Sequence, residues 1–200
     1  MKSTSSDIST ERFESIVHTA ERLFADKGYQ SVSVEEIART AGVSKGLVSY
    51  HFGSKEDLLV HIINRNRGTL LEQLDDIARS NEFTKAKLRS AIEAYLEAAT
   101  SGLGITQMVL VAFFEVAYTE KIRNTLLTSL EENLIKFAAL VDEGIARGEL
   151  RPVDSLLTTH LVIGMALEMI RLGTIQQQPI RPDKIADEIT AVLLDGIALK

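Results

Sequence analysis

Residues 39–55 carry the side chains best suited to binding another molecule. Arg39, Lys45 and Lys55 give this stretch three positive charges, and it contains no acidic residue. Hydroxyl and imidazole groups lie among the basic side chains. Side chains of these types bind phosphate oxygens and the edges of DNA bases. We therefore expect this stretch to contact DNA, while the net charge of −6 for the whole chain argues against indiscriminate binding of nucleic acid.

The sequence shows no pattern typical of a catalytic or metal site. Its four histidines, His18, His51, His61 and His160, are far apart and form no His-x-x-x-His or Glu-x-x-His pair. There is no glycine-rich phosphate loop and no Gly-x-Ser-x-Gly elbow. Cysteine is absent, which excludes disulfides and thiolate chemistry. We expect a protein that is not an enzyme and needs no cofactor or metal.

Composition indicates a soluble globular protein. Hydrophobic residues make up 45% and charged residues 25% of the 200 residues, which is ordinary for a folded chain. Residues 1–10 are polar, unlike a signal peptide. The longest apolar-rich run, near residues 108–117, is well short of the roughly 20 residues that span a bilayer. We expect a cytoplasmic protein with no membrane partner.

Apolar residues repeat with helical periodicity along nearly the whole chain, without an alternating strand pattern. The pattern predicts an all-α protein of about nine helices. These are a first helix at about 11–26, two short ones after Ser33 and Ser44, a long one after Ser54, and five more at about 85–101, 105–118, 120–147, 154–173 and 182–198.

Local signals set the ends of the short helices. Ser33 and Glu36 have the form of a capping box, in which the Ser33 hydroxyl accepts from the Glu36 amide and the Glu36 carboxylate reaches back. Gly42 suits a tight turn that needs a positive φ. Ser44 can cap the helix that follows. Two short helices joined by a tight turn, after a supporting helix, form a helix-turn-helix.

The third helix divides into an inner and an outer face. Val43, Val48 and Phe52 can face the core. Gly46 and Ser49 are small enough to let the backbone approach a DNA duplex closely. The residues expected on or beside the outer face are Lys45, Gly46, Leu47, Ser49, Tyr50 and His51.

Several runs of residues at these positions resemble the DNA-binding domain of the TetR family of transcriptional regulators. The runs are Gly28-Tyr29, 33–38, 41–46 and 50–58, within about residues 10–58. The rest of the chain is similar to the family only in length, helicity and helix order. The resemblance implies DNA contacts at Ser33, Ser44, Lys45, Ser49, Tyr50, His51 and Lys55.

Two residues depart from the pattern of that family. Leu47 and Ser49 stand where the family often has Thr and, two residues later, Tyr. The phosphate contact usual for that Tyr is therefore in doubt, and Leu47 can instead meet a thymine methyl group. Lys55 begins the fourth helix, where its amine can supplement amide protons that face a phosphate.

The predicted domains are residues 1–58, which bind DNA, and residues 59–200, which are more apolar than a DNA module needs. The last two helices can form a four-helix interface with a second copy, as they do in the resembled family. They can also be core. The candidate interface residues are Leu161, Gly164, Ile185, Ala186, Ile189, Val192 and Ile197.

The resemblance also implies a small-molecule pocket among the middle helices. Aromatic and methionine side chains suit an apolar pocket, although such residues are often simply core. If Glu115 is buried it needs a partner, such as a cationic ligand or an arginine. His160 is expected in the core or the interface. The candidate ligand residues are Tyr95, Met108, Phe113, Phe114, Glu115, Tyr118, Phe137, Met165 and Met169.

These observations favour a ligand-responsive repressor that binds a palindromic DNA operator as a homodimer. A two-fold dimer reads two half-sites, whereas one short helix reads too few bases. We expect the effector to release the protein from DNA, with corepression as the other possibility. The alternative class is a helical adaptor that binds proteins through its apolar surface.

Overall fold

Every regular element that the structure describes is an α-helix. The computed structural model describes the backbone of residues 5–100 and 119–197, and the side chains of residues 10–100 and 119–194. The all-α prediction is confirmed, and the ninth helix, predicted at 105–118, lies outside the described residues. The eight helices are α1 (Ser5–Lys27), α2 (Val34–Thr40), α3 (Lys45–Phe52), α4 (Lys55–Arg79), α5 (Thr84–Thr100), α6 (Glu120–Ala146), α7 (Ser155–Gln176) and α8 (Pro182–Ile197).

The chain divides into two compact units. Unit 1 comprises residues 1–65 and 101–126, and unit 2 comprises residues 66–100 and 127–200. Helices α4 and α6 each contribute residues to both units. The domain boundary at residue 58 stays a prediction, because the two compact units reflect packing contacts and do not show which segments fold independently.

Unit 1 is built around the apolar stripe of α1. Ile16, Val17 and Ala20 are fully buried, as their three- and four-residue spacing predicts. They pack in one cluster with side chains from α2, α3, the first half of α4 and Ile122 of α6. Burial of large apolar side chains from these five helices stabilises this unit, at about 1.5–3 kcal/mol for each side chain.

Two serines and a glycine set the ends of α2 and α3. The hydroxyl oxygens of Ser33 and Ser44 each accept from the amide three residues later at 3.1 Å. Gly42 has a φ of +70°, which favours glycine in the turn between the helices. The other predicted contact of the capping box, in which the Glu36 carboxylate reaches back to the start of the helix, is replaced by an ion pair. The Glu36 carboxylate accepts from Lys27 Nζ at 2.7 Å.

In unit 2, α5 packs chiefly against α8 and also against α7. Lys87 is buried on α5, and its ammonium donates to Glu143 of α6 at 2.9 Å and to the carbonyl of Ala78 at 2.7 Å. These partners compensate the cost of burying a charge. They connect α5 to α6 and to the end of α4.

Helix α7 is unusually apolar for its exposure. Among the described residues it alone is long and apolar enough to cross a membrane by length and composition, and only a third of its apolar window is buried. Its inner side chains, including Val162, Ile163 and Ala166, belong to the core. Leu157 and Leu161, one turn apart, are 58% and 61% exposed. The helix therefore leaves part of its apolar surface exposed to solvent.

Candidate DNA-binding surface

Two buried side chains orient α3. Val48 and Phe52, one helical turn apart, are 2% and 8% exposed and belong to the unit 1 core. The Phe52 ring stacks on Phe13 of α1 with a centroid distance of 4.9 Å. Val43, just before the helix, is half-buried against the same cluster. The opposite face of α3 is consequently turned to solvent.

The solvent-facing side of α3 is polar and open. Ser44, Lys45, Gly46, Ser49 and Tyr50 are all exposed, and Tyr50 is 83% exposed. A Cβ atom at Gly46 would meet no atom closer than 3.8 Å, so packing within the chain does not require glycine there. The absence of a side chain instead suits a close approach by another backbone.

Leu47 and His51 lie at the edge of this face. Leu47 is half-buried and packs against the core cluster, which leaves only part of its side chain for a partner. The His51 ring meets the Phe13 ring edge-on at 5.5 Å and the Tyr50 ring at 5.3 Å. The aromatic contacts fix the position of the imidazole beside the exposed phenol.

Ser33 lies at the other end of the motif, at the start of α2. Its side chain is exposed, and its oxygen accepts from the Glu36 amide. Ser44 is engaged in the same way at the start of α3. A hydroxyl that accepts through its oxygen retains its own proton for donation. Both capping serines can therefore still donate to a phosphate.

Lys45 has a partner within the chain. Its ammonium forms an ion pair with Glu35 of α2, and both side chains are 60% exposed. The hydrogen bond from Lys45 lowers the pKa of the Glu35 carboxyl. Glu36, the next residue of α2, accepts a hydrogen bond from Lys27 of α1, which lowers the pKa of the Glu36 carboxyl in the same way. The first turn of α2 thus supplies two carboxylates that bind lysines.

Lys55 is held by the chain more firmly than the sequence suggests. Its ammonium donates to the carbonyls of Tyr29 and Val32 at 2.9 and 2.8 Å and approaches that of Gln30 at 3.5 Å. It also lies 4.3 Å from the centre of the Tyr29 ring. Burial lowers the pKa of Lys55. This lysine fastens the α1–α2 loop to the start of α4, and its predicted contact with a phosphate stays a prediction.

Four aromatic rings from three helices meet behind α3. The His61 ring of α4 meets the rings of Phe13 and Phe52 edge-on, at centroid distances of 5.2 and 5.5 Å, and the His51 ring meets Phe13 edge-on at 5.5 Å. Burial lowers the pKa of His61; the positive charge of Arg65 lowers it further, and Glu14 opposes both. No sequence motif marks His61 as part of this cluster, because its ring partners Phe13 and Phe52 are distant along the chain.

The candidate ligand residues fall into separate groups. Tyr95 and Phe137 are buried in unit 2 and meet edge-on at 6.2 Å, and burial raises the pKa of the Tyr95 hydroxyl. Met165 and Met169 lie elsewhere, on the outward side of α7. The remaining five, Met108, Phe113, Phe114, Glu115 and Tyr118, lie outside the described residues.

An apolar groove runs along α7 and α8 in unit 2, and we call it the α7–α8 groove. Charged and polar side chains flank it: His160, Glu168, Lys184 and Glu188. His160 is exposed, and its Nδ1 lies 2.8 Å from the Leu156 carbonyl. The apolar lining consists of Leu161, Gly164, Met165, Met169, Ile185, Ile189 and Val192.

The groove contains five of the seven candidate interface residues. Leu161 and Val192 are the most exposed of them, at 61% and 64%. Ala186 is instead fully buried within the protomer, so its methyl group contributes to the core of its own chain. Ile197 ends α8, and its side chain lies outside the described residues. Leu161 and Val192 are thus best placed to meet another surface.

Glu35 is the residue of this surface that sequence analysis missed. Residues 39–55 contain no acid, yet the folded chain places the Glu35 carboxylate against Lys45. The ten-residue separation crosses the turn of the motif, so counting charges in one stretch cannot reveal it. The predicted helix starts are a usable signal for this pair, because Glu35 and Lys45 both lie in the first turn of their helices.

Comparisons with known proteins extend over most of the chain. Residues 16–62 match the family model described as bacterial regulatory proteins, tetR family. The fatty acid metabolism regulator protein of Bacillus subtilis (strain 168) is 24% identical over 189 residues, 93% of this chain and 95% of that protein.

Solved structures have the same fold. A putative fatty acid metabolism regulator of Clostridium perfringens is 26% identical with a TM-score of 0.78, covering 93% of this chain and 100% of that one. The regulator FadR from Bacillus subtilis, solved with stearoyl-CoA, is 22% identical with a TM-score of 0.80, covering 92% and 98%. The second likeness shows the fold alone.

The aromatic cluster predicts that unit 1 loses stability in mild acid. The folded-state pKa of His61 is below its ordinary value of 6.5, so the unfolded chain takes up the proton first as the pH falls. The stabilisation is complete above that value and is lost as the pH falls toward the folded-state pKa. Urea unfolding of wild type and His61→Gln at about pH 7.5 and about pH 5.5 measures this. The wild type should lose more unfolding free energy than the variant, and equal losses would refute the assignment to His61.

Proposed function

This chain belongs to the TetR family of bacterial regulatory proteins, and on that premise we propose that it represses transcription as a cytoplasmic homodimer. The dimer binds an operator with two-fold symmetry and leaves it when a small effector binds. It acts by binding rather than by catalysis. The family-model match at residues 16–62 and the relative that covers 93% of the chain support this function. They give the adaptor alternative no support.

One observation carries the DNA-binding part of the proposal. Helix α3 buries Val48 and Phe52 and turns Lys45, Ser49 and Tyr50 outward, and the Tyr50 side chain is 83% exposed. A helix held in this way can enter a major groove with its polar side toward the bases. The ammonium, hydroxyl and phenol groups suit both phosphates and base edges.

The α7–α8 groove supports the proposed dimer. An apolar centre with a charged rim is the usual composition of an interface between protein chains. A second copy of the groove would cover the exposed face of α7, which otherwise leaves Leu157 and Leu161 in water. We therefore attribute the apolar character of α7 to dimerisation, not to a membrane. Two copies would place two α3 helices on adjacent turns of the major groove, roughly 34–36 Å apart.

We propose a long-chain fatty acyl-CoA thioester as the effector. Two of the relatives described above are named for fatty acid metabolism, and FadR was solved with stearoyl-CoA. The buried aromatic pair Tyr95 and Phe137 in unit 2 offers an apolar environment that suits an acyl chain. A thioester that binds more tightly to the dimer with one spacing of the α3 helices increases the population of that conformation. Helix α4 contributes to both units and is the proposed route of that shift.

Replacing Tyr50 tests the DNA-binding surface. Because its ring is exposed, Tyr50→Ala should leave the fold intact but remove a contact from each half-site, and so weaken binding to a selected duplex at least about tenfold. Phe83→Ala is the matched control, since that aromatic side chain is 74% exposed on unit 2. Fluorescence anisotropy measures affinity, and thermal unfolding verifies the fold. Equal affinities for the two variants would count against α3 as the reading helix.

Charging the groove tests the dimer. Leu161→Glu places a carboxylate in the apolar centre of the α7–α8 groove, and burial of an unpaired charge should raise the dimer dissociation constant by two orders of magnitude or more, on the order of 3–5 kcal/mol. Ile135→Glu on α6 is the control, because Ile135 is 59% exposed and does not line the groove. Sedimentation velocity gives the oligomeric state. A Leu161→Glu protein that remains dimeric would place the interface elsewhere.

Titration with stearoyl-CoA tests the effector. Added below its micelle concentration to a complex of protein and selected duplex, it should weaken DNA binding by roughly 5–150-fold, the usual range for coupled sites. Free coenzyme A and stearate, added separately, are the controls for the two halves of the molecule. No effect of stearoyl-CoA, or the same effect from stearate, would rule out the thioester as the signal.

A further inference from the structure

The basic side chains of the helix-turn-helix are largely engaged by acceptors of the same chain. Lys45 pairs with Glu35, Lys27 pairs with Glu36, and Lys55 donates to carbonyls of the α1–α2 loop. Lysine and arginine side chains that neutralise phosphates supply the sequence-independent part of a protein's affinity for DNA. Here each ammonium must exchange or share a partner before it can contact a phosphate.

The pair formed by Lys45 and Glu35 lies at the surface that would contact DNA. Lys45 is the first residue of α3, and Glu35 is in the first turn of α2. Both side chains are 60% exposed, so the pair is accessible and is not part of the core. Lys27 and Glu36 differ, since the Glu36 side chain is only 19% exposed and its lysine partner belongs to the end of α1. The two pairs thus have similar chemistry and different positions.

We propose that Glu35 holds the Lys45 ammonium in the free protein and thereby lowers the affinity of this surface for DNA of any sequence. The proposal rests on the proposed DNA-binding function and adds an affinity-setting residue to it. Glu35 makes no favourable contact with a phosphate, because a carboxylate and a phosphate repel each other. It acts through the lysine that it binds.

Two physical consequences follow from this arrangement. A phosphate must compete with a carboxylate for the ammonium, which reduces the gain from each contact with Lys45. The hydrogen bond from Lys45 also lowers the pKa of Glu35, which favours the charged form of the carboxylate. The pair therefore limits binding to random DNA, on which electrostatic contacts supply nearly all the affinity. A repressor needs this restraint because non-specific sites vastly outnumber its operator.

Binding of the full-length protein to a random-sequence duplex tests the role of Glu35. The variant Glu35→Gln keeps the size of the side chain and removes its charge. We expect it to bind the duplex roughly two- to twenty-five-fold more tightly, because each of the two exposed pairs in a dimer accounts for about 1.4- to fivefold. Glu36→Gln is the matched control, since it changes the net charge equally one residue away. It should tighten binding by less.

A Lys45→Met background separates two explanations of such a gain. If Glu35 acts through Lys45, Glu35→Gln in that background should gain no more than Glu36→Gln does. An equal gain with and without Lys45 would show simple repulsion between Glu35 and phosphates and would overturn the proposal. Unchanged or weaker binding by Glu35→Gln in the wild-type background would overturn it as well. Circular dichroism confirms that each variant is folded.

Selection of a specific duplex by the wild-type protein, run beside these measurements, distinguishes failure of this proposal from failure of the proposed function. Selection of a specific duplex by wild type, with no gain from Glu35→Gln on random DNA, rejects the role of Glu35 alone. Tighter random binding by Glu35→Gln, with no duplex selected by wild type, rejects the operator-reading function and keeps the role of Glu35.

Discussion

The burial of Val48 and Phe52 is the interaction on which the candidate DNA-binding surface depends. Because the two side chains are one turn apart, burying both fixes the rotation of α3 about its axis. The stacking of Phe52 on Phe13 and its contact with His61 connect that rotation to α1 and α4. The serine caps and the turn at Gly42 only decide where the short helices begin and end. Which side of α3 reaches solvent is decided by the core.

Local features of the motif could be predicted from the sequence, and features that join distant residues could not. The caps at Ser33 and Ser44 involve atoms three residues apart, so spacing alone predicts them. The Glu36 carboxylate has a competing partner, Lys27, nine residues away, and it pairs with that lysine. Lys55 has the residue type of a phosphate ligand, yet the fold brings loop carbonyls from 23 to 26 residues away against its ammonium.

The apolar second half shows a different limit of sequence reasoning. Helix α7 is apolar on most of its circumference, so periodicity predicts a helix but not which side faces the core. The structure separates the candidates: Ala186 is inside the protomer, whereas Leu161 and Val192 line the exposed groove. Met165 and Met169 lie with the groove residues and not with Tyr95 and Phe137. Aromatic and methionine content alone could not distinguish a pocket, a core and an interface.

In the proposed complex, two copies of α3 read a symmetric DNA sequence. The most direct measurement is sequencing of the genomic fragments that the purified wild-type protein retains at near-physiological salt. The account predicts a shared inverted repeat whose half-sites lie about one helical turn apart, about 10 base pairs from centre to centre. Weak, sequence-independent retention that disappears near physiological salt would contradict it, since binding through phosphates alone is lost in that way.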